Sequence, residues 1–337
     1  MTQIWYTRCP VPTASGLAHR LGWLADELGQ VGVLQDAPPE IARHHFDHQL
    51  LGLFREGGNV PALAARSEGA PTRLIGLTWI EEWQSVLVRP DSGITDAAGL
   101  KGARFALPRW AATRGESFPR AMALHGAKGA LSQAGLTLDD VTLVEVEQPP
   151  SRIGRAEPGA PRGGAWSWPG ITELASGQVD AVYVKGARAA EQAAEIGAVV
   201  AVDLDAHPDP RTRVNNGTPR PITVHEQLLK EQPELVVKFL AQSLRAGDWA
   251  ASNLGSVQEI LAGETNSGLD GGRTAYRNDF HLDLHPDLSA GRLELLGIQK
   301  RFLLTHGFLA ADFDLESWVA PEPLEQARAL LADRQAA

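Results

Sequence analysis

Short apolar runs alternate with stretches whose apolar residues recur at helical spacing. Ile4–Thr7 reads as a strand. Ser15 then stands as a helix N-cap, with Leu17, Leu21, Leu24 and Leu28 on one helical face and Gly29 as the stop. Val31–Leu34 is a second strand. Leu74–Leu77, Ser85–Val88, Arg104–Leu107, Val141–Val146, Ala181–Val184 and Ala198–Val202 complete the set. Strands separated by helices predict an α/β fold built on a parallel sheet. The last third is helical. Pro233 opens a helix with Leu235, Val236, Phe239, Leu240 and Leu244 on one side, and a second runs from Leu288 to about His306. No internal repeat interrupts the pattern.

Glu147–Gly170 departs from it, being rich in Pro, Gly and Arg and ending in Trp166-Ser167-Trp168-Pro169. A loop this long is functional or disordered as a rule, and its two tryptophans suit either a lid over a ligand or an anchor on the surface. Two further phrases carry architecture. Ile94-Thr95-Asp96-Ala97-Ala98-Gly99-Leu100-Lys101-Gly102, before the strand at Arg104, resembles the opening of the second lobe in periplasmic-binding-protein-like folds. Glu173-Leu174-Ala175-Ser176-Gly177-Gln178-Val179-Asp180-Ala181 resembles a later helix-turn-strand of the same fold. The resemblance implies a two-lobe, type II architecture with a central ligand cleft. One lobe is expected from residues 1–92 together with 207–337, and the other from residues 93–206.

Composition narrows the function. The formal net charge of −10 repels polyphosphate, so no nucleic-acid partner is expected. No run of about 18 apolar residues offers a membrane span. The first ten residues lack a charged start followed by an apolar core, so a cytoplasmic location is expected. Cys9, the single cysteine, has no partner in the chain for a disulfide or a paired-cysteine zinc site.

The chemistry gathers early in the chain. Cys9 follows the first strand, where ligands of open α/β sheets bind. The helix starting near Ser15 would aim its N–H groups at the same crevice, where they could hold an anion or favour a thiolate. A small buried apolar residue would occupy this position equally well. Next stands Arg43-His44-His45-Phe46-Asp47-His48. His44 and His48 are one helical turn apart, but no Glu stands between them in the metalloprotease pattern and no further ligand cluster accompanies them, so no metal is expected. A neutral imidazole near Cys9 could take its proton or orient a substrate. Then comes Arg55-Glu56-Gly57-Gly58-Asn59-Val60-Pro61. Arg55 offers a planar fork for two oxygens, and Gly57 and Gly58 allow backbone N–H groups to converge on an anion. An exposed turn explains the same residues.

Taken together, Cys9-Pro10-Val11-Pro12, His45-Phe46, and Arg55 with Gly57-Gly58 and Pro61 resemble the aromatic sulfinate desulfinases. Supporting likeness lies in Thr72–Gly76, Leu138–Val141, Arg301–Thr305 and Trp318–Glu322, so it spans the chain. The resemblance implies that Cys9 is the catalytic cysteine, with His45 as its partner in the site. It also implies that Arg55 and the Gly58 N–H hold the sulfinate oxygens, and that the reaction is hydrolytic release of sulfite without a cofactor. The expected partner is one small aromatic sulfinate bound by a monomer. Two segments of the expected second lobe depart from the family pattern, Val184-Lys185-Gly186-Ala187-Arg188 and the shorter Arg109–Phe118, so the aromatic part of the substrate is expected to differ. Phe46, Phe118, Trp166 and Trp168 are the candidates for its apolar wall, with Ser117 as a cap that aims the Phe118 helix at the cleft. The main alternative is a solute-binding protein for sulfonate or sulfinate anions, which shares the fold.

Overall fold

The computed structural model describes residues 3–148, 167–265, 267–277 and 279–336. Ten strands form two five-stranded sheets. The first sheet contains β1 (Ile4–Arg8), β2 (Val31–Val33), β3 (Leu53–Glu56), β4 (Thr72–Thr78) and β10 (Arg220–His225), in the order β2-β1-β3-β10-β4. The second contains β5 (Gln84–Val88), β6 (Arg104–Pro108), β7 (Thr142–Val146), β8 (Ala181–Lys185) and β9 (Val199–Asp203), in the order β7-β6-β8-β5-β9. Neither is the parallel sheet that helix-strand alternation predicts. β10 runs antiparallel to β3 and β4, and β5 runs antiparallel to β8 and β9. Each of these strands arrives by a crossing from the other sheet, which reverses its direction. The crossings fall between β4 and β5 and between β9 and β10. The boundary expected between residues 92 and 93 therefore lies too late, because β5 already pairs in the second sheet.

The Ser15–Leu28 helix is two helices, Ala14–Arg20 and Trp23–Leu28, separated where Gly22 takes φ 82°. Its cap is Thr13, whose hydroxyl accepts from the Gly16 N–H; Ser15 instead turns its hydroxyl and its N–H to the Glu56 carboxylate. Ser117 stands at the N-cap of the helix Phe118–Ser132 but does not cap it. Its hydroxyl donates to Thr113 O at 2.8 Å and accepts from the Ala111 N–H.

Apolar packing fixes the relation between the sheets. Phe54 of β3 stacks on Phe239 of the helix Pro233–Ala251, ring centroids 4.4 Å apart, which seals the first sheet from behind. A second cluster joins Val60 and Leu63, beyond β3, to Leu107, Ala121 and Leu124 from β6 and its following helix, and to Leu296 and Phe302. Burying side chains of this size contributes about 1.5–3 kcal/mol each. The cluster thus ties the helix Asn59–Ser67, beyond β3, to the second sheet. No helix among the described residues is long and apolar enough to cross a membrane.

Candidate active site

The parallel pairing of β1 with β3 sets Thr7 beside Arg55 and Arg8 beside Glu56. One residue further on, both strands leave the sheet together. The thiol of Cys9, half-buried, thereby meets the chain just past β3, and the Gly58 N–H donates to Cys9 Sγ at 3.2 Å. The helix Ala14–Arg20, expected to aim N–H groups at this crevice, does not serve it, since its first N–H groups are spent on Glu56 and Thr13.

Arg55 is fully buried and folds back over Gly57. A Cβ on Gly57 would stand 2.8 Å from the guanidinium carbon, so glycine is needed there for steric room. The Gly57 N–H is committed to Pro221 O, so this glycine does not offer its N–H to an anion. Arg55 Nε donates to His45 O at 2.8 Å and Nη1 to Gly58 O at 3.2 Å. Nη2 stands 3.4 Å from His45 Nε2. Guanidinium can only donate, so His45 Nε2 accepts and the imidazole proton lies on Nδ1. Nδ1 then donates to Thr7 Oγ1 at 2.9 Å, an oxygen that also receives Gln35 Nε2 at 3.1 Å. Among the described residues no hydrogen bond joins His45 to Cys9. The imidazole, read from sequence as able either to take the thiol proton or to orient a substrate, lies against the Arg55 guanidinium. Burial holds it neutral, well below the usual histidine range, with Arg55, His48 and Arg220 adding to the effect.

Electrostatics single out Arg55. Burial brings its pKa down to about 10, Cys9 opposes that change, and Arg220 adds to it. The group remains a cation at neutral pH. Every partner it has among the described residues is neutral, and no carboxylate stands within ion-pair distance. A guanidinium has five N–H donors, so one on each terminal nitrogen is uncommitted. A buried cation without a counterion costs several kcal/mol, and two free N–H groups in one plane suit an anion with two oxygens. Arg220 is a second buried arginine, whose Nε has no hydrogen-bond partner among the described residues.

The candidate aromatic wall divides. Phe46 and Phe118, both half-buried, face one another with ring centroids 6.5 Å apart and planes 15° apart. They join the loop ahead of β3 to the helix that follows β6. Trp168 is buried under the second sheet, its indole N–H donating to Tyr183 O at 2.6 Å, and no described contact brings it to Cys9. Trp166 lies outside the described residues, as does most of the loop at 147–170. The remaining histidines of the cluster turn to separate partners. His44 pairs with Asp47 and His48 donates to Phe46 O. No group of three metal-ligating side chains occurs among the described residues.

Sequence reasoning missed Thr7, Gln35, Arg220 and Asn216. The first two orient His45 from β1 and from the turn after β2. Arg220 and Asn216 arrive on the second crossing, far along the chain, and no local pattern announces them.

Comparison with protein-family models gives no match. The 2'-hydroxybiphenyl-2-sulfinate desulfinases of Rhodococcus erythropolis and Rhodococcus qingshengii are each 31% identical to the chain over 350 residues, covering 94% of it and 91% of the relative. The crystal structure of a cysteine-to-serine mutant of DszB in complex with biphenyl-2-sulfinic acid superposes with a TM-score of 0.76 at 26% identity, covering 98% of this chain and 99% of that one. The periplasmic aliphatic sulphonate binding protein SsuA from Escherichia coli superposes with a TM-score of 0.66 at 16% identity, over 95% of this chain and 92% of that one, a likeness of fold alone. With nearly a third of its residues identical over almost the full length of both chains, the chain belongs to the 2'-hydroxybiphenyl-2-sulfinate desulfinase family.

Proposed function

We propose that this protein is a desulfinase that cleaves the carbon–sulfur bond of an aryl sulfinate, 2'-hydroxybiphenyl-2-sulfinate or a related compound, and releases sulfite. The observation that carries the reading is the Gly58 N–H aimed at Cys9 Sγ, beside a buried guanidinium that lacks a carboxylate partner. Arg55 holds the two sulfinate oxygens through its uncommitted N–H groups. Cys9 gives its proton to the ring carbon that bears sulfur, the carbon–sulfur bond breaks, and sulfur dioxide leaves with the arene. The thiolate takes a proton back from water, and the hydroxide adds to sulfur dioxide to give hydrogen sulfite. The Gly58 N–H stabilises the thiolate formed in between. Attack of a thiolate on sulfur would need a base near Cys9, and His45 is committed to Arg55 and Thr7.

The site is assembled within one chain, which supports a monomer. Its dependence on a free thiol supports a reducing, cytoplasmic setting. The two sheets stand as the two lobes of the cleft, with Phe46 and Phe118 closing on the aryl group from either side. Trp166, outside the described residues, and Trp168, buried against Tyr183, are the remaining candidates for this wall.

Sulfite release from 2'-hydroxybiphenyl-2-sulfinate and from simpler aryl sulfinates tests the reading, with wild type beside Cys9→Ser. Release by the wild type that disappears in the variant is expected. Tight binding with no release by either protein would turn the reading to a solute-binding protein. Phe118→Ala should lower kcat/KM by roughly tenfold, the size of one lost aromatic contact, chiefly through KM. An unchanged KM would remove Phe118 from the wall.

A further inference from the structure

The helix Asn59–Ser67 begins immediately past the site, and the first N–H groups of a helix have no partners within it. Here each can be followed. The Gly58 N–H goes to Cys9 Sγ at 3.2 Å. The Asn59 N–H goes to Asn216 O at 2.6 Å, and the Val60 N–H to Asn216 Oδ1 at 2.9 Å. Position 61 is proline and has no N–H. One residue thus takes up two of the donors at this helix end and leaves the third to the thiol.

Asn216 is well placed to hold that geometry. It is 9% exposed, and its carboxamide lies flat against Gly58, where a Cβ would stand 2.6 Å from Asn216 Cγ. Asn216 Nδ2 donates to Met122 Sδ at 3.6 Å. Its own N–H donates to Asn215 Oδ1 at 2.8 Å, and Asn215 Nδ2 donates to Met122 O and to the Tyr183 hydroxyl, both at 3.1 Å. From the other direction, Asn59 Nδ2 donates to Asn215 O and Pro219 O. The segment at residues 215–219 is therefore anchored both to the helix end and to elements of the second sheet.

We propose that Asn216 is a positioning residue for Cys9: by binding the N–H groups of Asn59 and Val60 it orients the Gly58 N–H onto the thiol sulfur. Its effect on turnover rests on the desulfinase reading; its effect on the thiol does not. Removing the carboxamide leaves the Val60 N–H without a partner in a buried position, and the helix end turns to find one. The Gly58 N–H then leaves the sulfur.

Cys9 is the only cysteine, so iodoacetamide alkylation reads this one site. In Asn216→Ala, alkylation at pH 7 should slow by about tenfold, because the N–H bonded to sulfur stabilises negative charge on it. A purely structural role predicts the reverse, since loosening the fold exposes a half-buried thiol and speeds the reaction. Gly58→Ala approaches the same geometry from the other side, because its methyl group displaces the carboxamide. It should slow alkylation as well, and it decides the matter should Asn216→Ala not fold. In the double variant the truncated Asn216 makes room for that methyl group, so the rate should be no lower than that of the slower single variant; independent effects would multiply to about a hundredfold. Unchanged or faster alkylation in the folded variants, or multiplying effects, would overturn the proposal while leaving sulfite release by the wild type untouched. Conversely, slowed alkylation in a protein that releases no sulfite would keep Asn216 in its role and remove the desulfinase. Where sulfite is released, Asn216→Ala should lower kcat and move KM by no more than about twofold, because Arg55 still holds the substrate.

Discussion

Replacement of Arg55 by methionine should lower sulfite release by about three orders of magnitude, the scale of losing a preorganised charge donor from a buried anion site. The effect should fall on both kcat and KM, because in the proposed mechanism the same two N–H groups hold the sulfinate and the departing sulfur dioxide. Arg55→Lys should recover less than about tenfold of this loss. Lysine keeps the charge but lacks the fork that reaches His45 O, Gly58 O and the ligand at once. A thermal counterpart follows. Holding this cation in the interior raises its free energy by about 3 kcal/mol, to judge from its descent to about 10, and an arriving anion returns much of that. Benzenesulfinate at about a hundred times its Kd should stabilise the wild type by about 2.7 kcal/mol, read as a rise in Tm, and leave Arg55→Met unmoved. Equal rises in the two proteins would place the anion elsewhere.

Acid should unfold the protein well above the range in which carboxylates protonate. His45, His48 and His125 are buried and held below the ordinary histidine value, His125 down to about 3. Burial is the leading cause in each. Below about pH 6.5 the unfolded chain protonates all three while the native state does not, so the unfolded state binds more protons and stability falls as the pH falls. Each such imidazole costs about 1.4 kcal/mol per pH unit. Glu56 acts in the opposite sense, because burial raises its pKa and the native carboxyl keeps a proton that the unfolded one has lost. It offsets at most one histidine. His125 alone gives a slope of about 1.4 kcal/mol per pH unit below pH 6.5, or about 2 kcal/mol by pH 5, against the roughly 5–15 kcal/mol that holds a domain together; His45 and His48 steepen it and Glu56 opposes them. Urea melts between pH 7.5 and 5 measure this slope, and His125→Asn should reduce it by about one histidine's share. A midpoint that stays constant over that range would mean that these imidazoles are hydrated or paired in the native state.

Much of the site could be read in advance because it is local. Cys9, His45, Arg55 and Gly58 lie on short segments at the ends of early elements, and the contact between them needs only that β1 and β3 lie side by side. The strands that escaped notice are β3 and β10, both in the middle of the first sheet. β3 contains Arg55 and Glu56, which an exposed turn also explains, and β10 contains Arg220 and Pro221, neither of which marks a buried strand. They are buried nonetheless, because the site requires charge in the interior, and hydropathy locates burial only where residues are buried for their own sake. Gly57 was legible as a glycine with a purpose, but its purpose is room for a guanidinium rather than an N–H for an anion. Asn216 could not be found this way, since its partners stand more than 150 residues earlier and meet it only through the topology.

That topology has a consequence for how the protein is made. Among the described residues, β4 has β10 as its only strand neighbour, and β10 is synthesised after every strand of the second sheet. A nascent chain therefore carries Cys9 long before the sheet around it can close, which waits until about residue 225 has left the ribosome. The same late segment brings Asn215 and Asn216. Translation thus acts as a timer, and Cys9 meets the helix end held by Asn216 only after every strand of the second sheet has been made.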